Sequence, residues 1–118
     1  MVHGNKLRKF GRKTNKRNAL MASLAVSLIL RGKIRTTSPK AKSLRPFVEK
    51  LVTIGKSDKS RILQAQRLIA GRIGIPSARK IIKDIAPKYT DRKGGYLRIS
   101  KLPRRAGDAT EMALIEFV

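Results

Sequence analysis

Leu20, Leu24 and Leu28 recur every four residues, with Met21, Ala25 and Ile29 beside them, which is the spacing of one face of an α-helix. Nearly every position from Ala19 to Leu30 is apolar or small, so this helix is predicted to be the one most enclosed by the others. Thr14 or Asn18 can cap its start, and Gly32 suits the left-handed residue that closes it. The run ALMASLAVSLIL behind a basic leader mimics a secretory signal. It falls short of the ~20 residues of a membrane span, and Arg31-Gly32-Lys33 follows it instead of a small-residue cleavage site. It reads as a buried helix.

Ile34-Arg35-Thr36-Thr37 alternates and is β-branched, which predicts a strand. Ser38 as cap and Pro39 in the first turn then start a second helix with the stripe Leu44, Val48, Leu51 and Gly55. Pro46 removes a backbone donor inside it and predicts a kink, on the side opposite the Leu44 stripe. Lys59 to Ala70 is a weaker amphipathic helix using Ile62, Ala65, Leu68 and Ile69. Gly71 and Gly74 break that pattern, Pro76-Ser77 restarts it, and Ala78, Ile81, Ile82 and Ile85 fit a short fourth helix stopped by Pro87.

The period then changes to two. Tyr96–Ser100 and Ala113–Phe117 alternate, with turn chemistry between them at Pro103–Asp108. Two strands alone are marginal in water, and pairing with Ile34–Thr37 relieves this. The expected fold class is α+β: about four helices packed with a small three-stranded mixed sheet, plus a basic N-terminal extension. Residues 1–14 are expected to form a basic arm and 15–118 a single α+β domain.

Charge makes function the sharper question. The 118 residues hold 29 Lys and Arg against 7 Asp and Glu, a net +22. Like charge at that density opposes a compact state, and a polyanion relieves it while releasing its condensed counterions. Glu49 is the first acid, after thirteen basic residues. Three basic groups point to nucleic acid. One is the arm: Lys6, Arg8, Lys9, Arg12, Lys13, Lys16 and Arg17, preceded by His3. Its apolar surface is too small to offset the entropy of ordering alone. A second is Arg31, Lys33, Arg35, Lys40 and Lys42, with Thr36, Thr37 and Ser38 adding hydroxyls and a helix N-terminus for phosphate. The third is Lys88, Arg92, Lys93, Arg98, Lys101, Arg104 and Arg105, where bare backbone at Gly94-Gly95 allows close approach to phosphate. Tyr89 and Tyr96, interleaved there, are candidates for stacking on unpaired bases, but Tyr96 starts a strand and packing is the better reading. Lys80 and Lys83 read as ordinary solvated positions.

The inventory excludes other chemistry. There is no cysteine, hence no disulfide, thiolate metal site or cysteine nucleophile. His3 is the one histidine, and the seven acids are dispersed without metal-ligand spacing. Gly94-Gly95 precedes a strand and lacks the further residues of a phosphate-binding loop. No enzyme activity, cofactor, metal or small-molecule substrate is expected. An architectural DNA-binding protein fits size and charge, but no recognition helix, zinc finger or basic zipper is visible. A membrane-active cationic peptide does not explain the alternating strands. Folded RNA suits a small domain with irregular basic extensions best.

Several blocks together resemble one family. Gly11-Arg12-Lys13 with Arg17-Asn18-Ala19-Leu20 is similar to the N-terminal signature of the bacterial large-subunit ribosomal protein seventeen family. Ile34-Arg35-Thr36-Thr37, Pro39-Lys40-Ala41-Lys42 and Leu44-Arg45-Pro46 resemble its centre. Gly94-Gly95-Tyr96-Leu97-Arg98-Ile99, Arg105-Ala106-Gly107-Asp108 and Met112-Ala113-Leu114-Ile115-Glu116 resemble its C-terminal part. Lys16, Leu97 and Glu111 depart from the family's usual histidine, threonine and proline. The resemblance implies an α+β ribosomal RNA-binding domain near the outer end of the peptide exit tunnel, in cytoplasmic ribosomes, beside neighbouring large-subunit proteins and with no membrane partner. It also implies RNA contacts by the arm, the Thr36-Thr37 junction and Gly94–Arg98.

Removing residues 1–13 deletes Lys6, Arg8, Lys9, Arg12 and Lys13. At roughly 0.7–0.9 counterions per phosphate neutralised, the slope of log affinity against log salt is expected to fall in magnitude by up to about 4, with weaker binding. An unchanged slope in a filter-binding salt titration contradicts a role for the arm.

Overall fold

A left-handed Gly32 (φ +83°) turns the chain from helix to strand, with its N–H donating to Leu28 O at 2.7 Å. A Cβ on Gly32 meets nothing within 4 Å, so conformation rather than space demands glycine. The computed structural model describes residues 13–56 and 59–118, so His3, Lys6, Arg8, Lys9 and Arg12 lie outside the described residues.

Helix α1 spans Thr14–Arg31, β1 Lys33–Thr37, α2 Ser38–Gly55, α3 Ile62–Ile73, α4 Ile75–Lys80, β2 Leu97–Leu102 and β3 Met112–Phe117. A single 3₁₀ turn, Lys59–Arg61, leads into α3. Chain helicity continues past α4 as a π-turn, Ile81–Ile85, and a 3₁₀ turn, Ala86–Tyr89. The fourth helical segment therefore carries through Pro87 instead of stopping at it. Pro87 sits in the first turn of the 3₁₀ segment, where a missing N–H costs no hydrogen bond. Gly74 (φ +90°) ends α3, while Gly71 stays inside the helix. Of the two glycines expected to break this pattern, only the one with positive φ does so.

The predicted caps move by one residue. Lys13 and Thr37 occupy the cap positions of α1 and α2, and neither makes a side-chain cap bond. Thr14 instead accepts from Arg17 at 3.0 Å. Helix α2 runs unbroken through Pro46, which is exposed.

The enclosed helix is α2, not α1. Helix α2 buries Ser38, Ala41, Leu44, Val48, Leu51, Val52 and Gly55, whereas α1 buries only Ala25, Leu28 and Ile29. Lys13–Lys16, Asn18 and Ala19 are exposed, so only the C-terminal half of α1 is packed into the body. Even apolarity around a helix does not specify a packing face, but the 41-44-48-51-52-55 stripe does. Helices α1 and α3, the turns that follow α4 and all three strands pack against α2.

The sheet order is β1-β3-β2, and both pairings are antiparallel. The α+β class, four α-helices and three strands hold, but the sheet is not mixed. Strand β3 lies between β1 and β2, so the two like-directed strands never meet. Ile34, Ile115 and Ile99 stand opposite one another across the three strands and, with Ala113 and Leu97, join the core on one face. By the two-residue period, Lys33, Arg35, Arg98, Leu114 and Met112 fall on the other face.

Gly55 marks the closest packing. A Cβ there lies 2.8 Å from Ile81 Cγ2. Gly55→Ala gains up to ~1 kcal/mol of helix propensity, but overpacking costs about 1–3 kcal/mol. Net destabilisation is expected, seen as a lower urea midpoint; a raised midpoint contradicts the tight α2–Ile81 contact.

Candidate nucleic-acid interface

No described Lys or Arg side chain is buried. The fold gathers cations that are far apart in sequence. Across the outer sheet face, Lys33 pairs in register with Glu116 and Glu116 with Arg98, while Arg35 pairs with Leu114 one position along. Two of the three basic groups thus meet on one surface. Arg98 donates to Glu116 at 3.2 Å, which leaves Lys33 and Arg35 in excess on that face. Lys40 is half-buried and Lys42 exposed on the first turns of α2, with Thr37 half-buried just before them. Lys16 is exposed and Arg17 half-buried on the first turn of α1, beside Lys13.

Arg104 and Arg105 occupy the β2–β3 connection and are largely committed to shaping it. Arg105 makes a two-point pair with Asp108, at 3.1 and 2.8 Å, and Thr110 N–H donates to the same carboxylate. Together these bonds, the arginine's first, hold the Asp108 carboxyl well below the ordinary range. Arg104 reaches Glu111 at 3.2 Å and Ala109 O at 3.2 Å. Both guanidiniums stay exposed, so they present charge while already oriented.

Arg92, Lys93, Gly94 and Gly95 form an exposed loop between Tyr89 and β2. Gly95 has φ +64°, and neither glycine has a neighbour within 4 Å of a built Cβ, so the backbone there is open. Tyr96 ends the loop and packs inward, the reading its place at the start of a strand favoured. It is 1% exposed. Its hydroxyl accepts from Lys56 Nζ at 3.0 Å and donates to Arg92 O at 3.2 Å, and Lys56 donates to the same carbonyl. The Lys56 ammonium lies 5.1 Å from the Tyr96 ring centroid, and the Tyr89 ring packs at 5.1 Å. A ring so enclosed offers no face to a base; its role is to pin the Arg92–Gly95 loop to the end of α2. The Lys56 hydrogen bond holds the Tyr96 phenol below its ordinary pKa, whereas burial pushes Tyr89 up against the opposing charge of Arg92.

Thr36 is likewise turned to the core face of the sheet and is 8% exposed. A buried β-branched residue completes the strand's inner row. Lys56, forty residues from Tyr96, carries no local signal of this role.

Among the described residues no group of His, Cys, Asp or Glu gathers to hold a metal, and no helix is long and apolar enough to cross a membrane. The model of the family described as ribosomal protein L17 matches residues 20–118. The chain belongs to the ribosomal protein L17 family. It is 53% identical to the large ribosomal subunit protein bL17 of Sulfurihydrogenibium sp. (strain YO3AOP1), over all of this chain and 97% of that protein. The bL17 protein of Nautilia profundicola is 46% identical, over all of this chain and 98% of that protein. That of Mesorhizobium japonicum is 50% identical, over all of this chain and 81% of its own length. L17-family membership makes this a ribosomal protein and not an enzyme.

Tyr96→Phe removes the acceptor for the Lys56 ammonium and is expected to cost about 1–3 kcal/mol of stability, read as a lower urea midpoint. RNA affinity of the folded variant is expected to stay within about twofold. A tenfold loss with the fold intact contradicts the inward role of Tyr96.

Proposed function

We propose that this chain, a structural constituent of the large ribosomal subunit, binds and stabilises large-subunit ribosomal RNA near the peptide exit tunnel. One observation carries this reading: the strand register that brings Lys33, Arg35 and Arg98 onto one sheet face in a chain whose described cations all reach solvent. Phosphates along a folded RNA meet that face, the open Gly94-Gly95 backbone and the preshaped Arg104–Asp108 connection. His3, Lys6, Arg8, Lys9, Arg12 and Lys13 of the N-terminal arm add contacts to the same RNA, and Lys16, Arg17 and Arg31 extend the track along α1. The contacts of these surfaces are to phosphate and sugar, which set register and orientation rather than reading base sequence. Neighbouring large-subunit proteins cover surfaces that RNA leaves free, and the site of action is the cytoplasmic ribosome. The exit-tunnel position rests on the family resemblance, and the RNA contacts on charge and register.

The test is sedimentation of cell lysate at high magnesium, following the chain across the gradient. Co-migration with large subunits that survives DNase is the expected result, with loss of that co-migration for Lys33→Glu/Arg35→Glu/Arg98→Glu. Recovery with duplex DNA instead, or free protein at the top of the gradient, overturns the assignment.

A further inference from the structure

An open cleft of about 200 Å³ lies where α1 turns into β1, against the π-turn and the end of β3. Its deep wall is apolar and partly aromatic: Ile29, Ile85 and Tyr89 are buried, and Phe117 is half-buried. The Tyr89 and Phe117 rings stack at 6.4 Å with 27° between planes, and Tyr89 is held in place by donating to Val118 O at 2.8 Å. Gly32 also lines the cleft, and its missing side chain leaves backbone at the surface.

The mouth is charged. Arg31 and Lys88 line it and are exposed, and Lys80 donates to Leu30 O at 3.1 Å. That single bond leaves two of the ammonium's three donors unused. Asp84 is the one acid among the lining residues, so three cations face one carboxylate.

We infer that this cleft takes one unpaired nucleotide extruded from a folded RNA, the base against the half-buried Phe117, which Tyr89 backs, and its flanking phosphates on Arg31, Lys80 and Lys88. The inference rests on the RNA-binding reading above and deepens it. Unpaired bases are recognised by aromatic and apolar surfaces beside cations, with polar groups on the base edge. Asp84 supplies an acceptor for an exocyclic amino group there. A cleft of this size is smaller than the roughly 300–1,000 Å³ that encloses a drug-sized ligand, which matches one base rather than two. The site also gives function to Lys80, which the helical pattern alone reads as a solvated position.

The experiment is a ¹H–¹⁵N NMR titration of the full chain with guanosine 5′-monophosphate, against ribose 5-phosphate and a short acidic peptide at equal ionic strength. Saturable shifts at Gly32, Ile85 and Phe117 with the nucleotide alone are expected. Arg31→Gln/Lys88→Gln, both exposed positions, is expected to weaken the nucleotide's binding at least about tenfold. Equal shifts with ribose 5-phosphate or the peptide, or no shifts at Gly32 and Phe117, overturn the inference. Binding of folded large-subunit RNA is measured alongside. Retained RNA binding with a silent cleft defeats the cleft alone, whereas loss of RNA binding defeats the underlying function.

Discussion

Twenty-nine cations against seven acids must share one small body, and their mutual repulsion constrains everything else in this structure. The core answers by being almost wholly aliphatic. Leu28, Ile29, Leu44, Val48, Leu51, Ile69, Ile81 and Ile115 are all 1% exposed or less, and no described cation is buried among them. Four of the seven acids are placed where a cation needs orienting. Glu49 faces Arg45, Glu116 faces Arg98, Glu111 faces Arg104 and Asp108 faces Arg105. Exposed pairs of this kind add little stability, so their main consequence is that guanidiniums are held in fixed directions on a surface that otherwise repels itself.

Lys56 has a different use. It closes the end of α2 onto Tyr96 and the Arg92 carbonyl, so a polar knot inside the domain determines where the Arg92–Gly95 loop emerges. The sheet plays a comparable part on another side: with β3 central, strands separated by sixty residues present their basic positions together. Surface chemistry is thus dictated by core geometry. A ribosomal protein of the L17 family needs no reacting group, only cations held in a shape complementary to a folded polyanion.

Much of this was legible in local sequence. Gly32 announced the end of α1, the Leu44–Val48–Leu51–Gly55 stripe announced the buried face of α2, and period-two alternation found all three strands. These signals are local and backed by strong steric or packing rules. What failed involved partners distant in sequence. Tyr96 beside arginines left stacking open next to packing, because nothing nearby reveals that Lys56 and Tyr89 enclose it. Helix α1 looked the most enclosed because uniform apolarity hides the absence of a neighbour over its first turns. A mixed sheet was expected because strand order follows from topology rather than from alternation. The cleft was invisible for the same reason: Gly32, Lys80, Ile85 and Phe117 come from four separate stretches.

The most direct test of the account is the urea midpoint of the full chain as sodium chloride rises from low to near-molar concentration. If self-repulsion is the constraint that the fold tolerates and a polyanion relieves, screening must stabilise the domain, since the Debye length falls from ~30 Å at 0.01 M to ~3 Å at 1 M. The midpoint is predicted to rise steadily with salt, and to rise further when large-subunit RNA is added at low salt. A midpoint that is flat or falls with salt would mean that the exposed ion pairs outweigh the repulsion, and would contradict the account.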